Sequence, residues 1–83
     1  LLDQAARCLE HDDEVGAEVH LTAALEVSRA HGDRAHQAQA LLALGRLRIR
    51  QRRHAAAARL IDEAASLGAK GAELDEVRAA LRR

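Results

Sequence analysis

Residues 46–54 read RLRIRQRRH. Arginine alternates with leucine or isoleucine as far as Arg50, a strand-like period of two, and five arginines crowd the positions from Arg46 to Arg53, as in a nucleic-acid-binding arm. Nothing else in the chain reads as a strand, and a lone strand leaves its backbone donors and acceptors unsatisfied. On a helix, turning by about 100° per residue, Arg46, Arg50 and Arg53 share one face while Arg48 and Arg52 share another. The alternation is then accidental, and the stretch is the C-terminal end of a helix.

The sequence on both sides supports the helix. Alanine, leucine, arginine and glutamate dominate and β-branched residues are few, a composition that favours helix almost throughout. Gly32-Asp33 is punctuation: the glycine suits a left-handed C-terminal cap, and the aspartate accepts from the free amides of the next first turn. Gly68 and Gly71 bracket another break. Charged residues interrupt the apolar spacing near 52–54 and again near 11–13. Five helical segments are predicted, at about 1–11, 14–31, 34–51, 54–67 and 72–83. The second places Ala17, Leu21, Ala24, Leu25 and Ser28 on one side; the fourth does the same with Ala57, Leu60, Ile61, Ala64 and Leu67. In the third, Leu41, Leu42, Leu44, Leu47 and Ile49 cover more than one face, so that helix needs several neighbours.

With 83 residues, of which 48% are hydrophobic, the chain is long enough for one small core. Lysine plus arginine and aspartate plus glutamate both number 13, so no net charge draws the whole chain to nucleic acid or an anionic membrane. The absence of methionine suggests a piece of a longer polypeptide. Cys8 is the sole cysteine, which rules out an internal disulfide and makes the cytoplasm the expected setting. No apolar run is long enough to span a bilayer.

Catalytic and metal chemistry find little footing. Cys8, His11 and Asp12 offer three ligand types, but a structural zinc site normally takes four and no second pair follows. Ser28 and Ser66 lie inside predicted helices, with no turn to expose a nucleophile. "GAKGAE", 68–73, lacks the spacing of a phosphate loop and follows a helix, so its glycines are read as caps. No enzyme activity, cofactor or metal is expected.

Shifting the chain by 40 residues (57 − 17) lays Ala17, Leu21 and Ala24 over Ala57, Ile61 and Ala64, and Leu2, Ala5 and Leu9 over Leu42, Gly45 and Ile49. A hairpin repeated at such a period buries its apolar face by stacking on its neighbours. The stretch "ALLALGRLRIRQRRHAAAARLIDEAASLGA", 40–69, resembles a tetratricopeptide repeat. Leu41, Leu44 and Gly45 match its first-helix large, large and small residues, and Ala57, Ile61 and Ala64 its second-helix small, large and small set. The usual aromatic residues are replaced by Leu41, Arg48 and Ile61, and the closing proline is missing near Ala69. More narrowly, 25–47 and 60–83 resemble repeats in the C-terminal arrays of large bacterial regulators, such as LuxR-type transcription factors and related signalling ATPases.

The resemblance implies an all-α superhelix of hairpins: a first hairpin over 1–31, a second over 34–67 and a terminal helix over 72–83. It further implies a protein- or peptide-binding segment in which Leu42, Arg46, Ile49 and Arg50 line a concave surface. Three readings of the arginines stay open. Arg46 and Arg50 clamp a partner's carboxylate; or they are a solvated helix end; or Arg50 pairs with Glu10 of the adjacent hairpin. A structural bundle that joins domains or self-associates is the alternative to a binding module. Nucleic-acid contact through Arg46–Arg53 is disfavoured by the lack of aromatic residues and by the acidic "EHDDE" at 10–14.

Overall fold

A computed structural model describes Gln4 and residues 13–82. The described residues form four helices and no strand: α1 (Glu14–Ala30), α2 (Arg34–Arg50), α3 (His54–Ser66) and α4 (Ala72–Leu81). The predicted segment at 1–11, and with it the pairing of Leu2, Ala5 and Leu9 with Leu42, Gly45 and Ile49, lies outside the described residues. The other four segments stand where the sequence places them, each ending a residue or two early.

The caps explain the boundaries. Asp13 accepts from the Gly16 amide at 2.9 Å and Asp33 from the His36 amide at 3.1 Å, so α1 and α2 start on side-chain caps; α3 and α4, preceded by Arg53 and Gly71, have none. Three helices end alike. Asp33 N–H donates to Ser28 O, Arg53 N–H to Arg48 O and Ala69 N–H to Ala64 O. In each case the residue just before the donor is left-handed: Gly32 (φ 65°), Arg52 (φ 59°) and Gly68 (φ 103°). The third break is therefore a glycine-type turn made with an arginine, which its sequence does not announce.

Among the described residues the buried hydrophobic side chains are all aliphatic. α1 contributes Ala17, Leu21, Ala24 and Leu25, α3 contributes Ala57, Ile61 and Ala64, and α4 contributes Leu74 and Val77. α2 buries Ala38, Ala40, Leu41, Leu42, Leu44, Gly45 and Leu47, covering several faces as expected, and it packs against all three other described helices. Beyond that hub, α3 packs on α4. Gly45 lets α2 approach α3 closely. A Cβ there would lie 3.1 Å from Ile61 Cγ1 and 3.8 Å from Ala57 O.

The 40-residue register holds at the start of the second hairpin arm and then slips. α3 begins 40 residues after α1 (54 − 14), and Ala17, Leu21 and Ala24 are buried like Ala57, Ile61 and Ala64. The capping glycines, however, are 36 apart (68 − 32), because α1 is one turn longer than α3.

Candidate functional site

The arginine run is tied into the chain's own carboxylates. Arg46 approaches Glu73 of α4 at 3.7 Å, Arg50 approaches Glu14 of α1 at 3.6 Å, and Arg48 bonds both Glu18 of α1 and, at 2.9 Å, the Gln51 side chain. The Arg48 side chain is only 16% exposed, whereas Arg46 and Arg50 are open to solvent, so the two outer pairs are screened and contribute about 0–1 kcal/mol each. Glu10, the partner that one of the three readings gives Arg50, lies outside the described residues. Arg29 adds a link from α1 to Glu63 of α3 at 2.8 Å. Arg52 and Arg53 occupy the exposed turn.

The four residues named for a concave surface are thus spread over different surroundings. Arg46 and Arg50 reach carboxylates on different helices. Ile49 packs partly buried against the core. Leu42 is 3% exposed and forms part of the floor of an open cleft of about 410 Å³ between the N-terminal half of α2 and the turn leading into α4. Ala38 and Leu67 complete that floor; Arg34, Lys70 and Glu73 stand around it. Ala35 and Gln39 form its exposed wall on α2. The cleft residues outside α2 run from Leu67 through the Gly68 turn to Glu73, more than 20 residues beyond Leu42, and only the tertiary stacking brings the two sets together. The signal that could have pointed there is Lys70, set between the two left-handed glycines Gly68 and Gly71.

A second surface feature lies on α1. Val15, Val19 and Val27 are 75%, 61% and 50% exposed and, with Ala23, recur at four-residue steps on the side away from the core.

The α1–α2 turn gathers Ser28, His31, Asp33 and His36 around a small cleft, but Ser28 and His31 bond backbone carbonyls of α1. Ser28 Oγ donates to Ala24 O at 2.8 Å, and His31 Nδ1 bonds Val27 O at 2.8 Å, so no serine–histidine contact forms. The His36 ring instead faces Asp33, and the His36 backbone N–H, helped by that ring, holds the Asp33 carboxyl below its ordinary value. Ser66 Oγ donates to Glu63 O at 2.7 Å. Cys8, His11 and Asp12 lie outside the described residues, among which no group of three histidine, cysteine or acidic side chains is placed to hold a metal. No described helix is long and apolar enough to cross a membrane.

No family model, no curated protein and no solved structure matches this chain.

Proposed function

We propose that the chain is a non-catalytic protein-recognition segment, built from stacked helical hairpins of the tetratricopeptide kind and belonging to a larger bacterial signalling or transcriptional regulator in the cytoplasm. The observation that carries this reading is the open, apolar-floored cleft between α2 and the turn before α4. Two features support the repeat. α2 packs on α4, the next helix but one, as first helices of successive hairpins do when they stack, and Gly45 lets α3 pack closely within the hairpin. The regulator setting rests on the resemblance of 25–47 and 60–83 alone.

Ala35→Trp tests the site. Ala35 is exposed and helical, so a tryptophan there fills the cleft without disturbing the core. The expected result is loss of partner capture from the parent organism's lysate with an unchanged far-UV spectrum; retention of every partner would refute the cleft as the recognition site. Reversing Arg46 and Arg50 is a less clean test, because each reversal also sets a new carboxylate beside Glu73 or Glu14.

The exposed valines favour one other reading, a structural bundle that self-associates through α1. In the 40-residue register Val15, Val19, Ala23 and Val27 correspond to Ala55, Arg59, Glu63 and Leu67, of which Arg59 and Glu63 are polar and exposed, so hairpin stacking does not require apolar residues along the middle of this face.

A further inference from the structure

We infer that the cleft between α2 and α4 selects an acidic segment of a partner protein, seating one leucine-sized side chain on its floor between flanking carboxylates. This inference rests on the protein-recognition reading and adds the chemistry of the partner. Ala38, Leu42 and Leu67 supply the apolar floor. Arg34 and Lys70 both line the opening, both are exposed, and neither side chain has a partner among the described residues. Glu73, the acid at the rim, faces Arg46 at 3.7 Å and so has a cation of its own. The opening therefore carries uncompensated positive charge beside apolar surface.

Folding does not explain the Arg34 charge. Arg34 is the first residue of α2, where a cation opposes the helix dipole, and the Asp33 cap beside it is engaged by the His36 amide and ring. A carboxylate brought by a partner would relieve this, and guanidinium and ammonium groups at an apolar rim fix orientation while the buried side chain supplies contact area. The cleft is open and needs no chain end, so the partner's acidic residues can lie anywhere along its chain.

The test uses the 83-residue chain and fluorescein-labelled peptides blocked at both ends: Gly-Glu-Leu-Glu-Gly, the same peptide with alanine for leucine, and the same with lysine for both glutamates. The glutamate–leucine probe is expected to bind, and both the alanine probe and the double variant Arg34→Glu with Lys70→Glu to weaken binding at least about tenfold. The doubly reversed protein is expected to prefer the lysine probe, a swap that mere unfolding cannot produce. Equal binding of the lysine and glutamate probes by the unsubstituted chain, both lost in Ala35→Trp, would overturn the acidic selectivity and leave the recognition cleft standing. No binding by any probe, or binding untouched by Ala35→Trp, would overturn this inference and the cleft together. Single-stranded DNA displacing the glutamate probe at equal concentration would also overturn it, in favour of a nucleic-acid ligand.

Discussion

Arg52 holds the left-handed backbone that glycine holds at the two other helix ends with the same hydrogen bonds. A side chain in that conformation costs about 1–2 kcal/mol, and Arg52 is exposed on the turn. Arg52→Gly is therefore expected to raise unfolding stability by roughly 0.5–1 kcal/mol, the gain being trimmed by the greater freedom of glycine in the unfolded chain. Urea denaturation checks it; a loss of stability would show that the arginine contributes a contact. Asp33 gives a pH signature. Its folded value lies below the ordinary 3.8, so its contribution is complete above that value and is lost as pH falls through the depressed folded value. Asp33→Asn keeps the cap but cannot titrate; the stability difference between the two chains is expected to be flat near neutral pH and to shrink only below about pH 4. At this scale Gly32-Asp33 was legible because residue type and geometry coincide. Arg52 was not, because its backbone is imposed by the bonds around it.

The hairpin of α2 and α3 depends on the space left by Gly45. A leucine there must displace Ile61, and Gly45→Leu is expected to lower stability by about 1–3 kcal/mol. Gly45→Ala sets a helix-propensity gain of about 1 kcal/mol against a single 3.1 Å contact with a side chain that can shift, so its melting midpoint is expected to move little. If the two variants melt alike, the close approach is not what positions α3. The helices themselves were readable, since apolar period and propensity agree over 14–66 and Asp13 and Asp33 mark two of the three starts. The role of the arginine run was not. Period and composition show a basic helix end, but which carboxylate each guanidinium meets depends on α1 and α4 lying to either side, which no local pattern encodes.

Across the molecule, the 40-residue repeat predicted the matching burial of α1 and α3 but not the slip to 36, because helix length is set by where each cap falls and not by the apolar register. The cleft was invisible for the same reason: its walls come from separate elements. The valines of α1 were each legible as residues, yet their exposure depended on which face α2 took. Val15→Glu with Val19→Glu is expected to leave helicity and melting unchanged and, if α1 is an assembly surface, to abolish concentration-dependent self-association in sedimentation equilibrium. An unsubstituted chain that stays monomeric up to high concentration would exclude the self-associating bundle.

The unequal anchoring of α2 and α4 bears on how the protein breathes. α2 touches every other described helix, so its central amides are expected to exchange with solvent only when the whole fold opens. α4 fully buries only Leu74 and Val77, with Leu81 partly buried against the core, beyond a turn with two left-handed glycines, and is expected to open before the rest of the fold. A ligand seated between α2 and the turn before α4 would bind only the closed form, and so would slow deuterium uptake in α4 well before it altered uptake in α2.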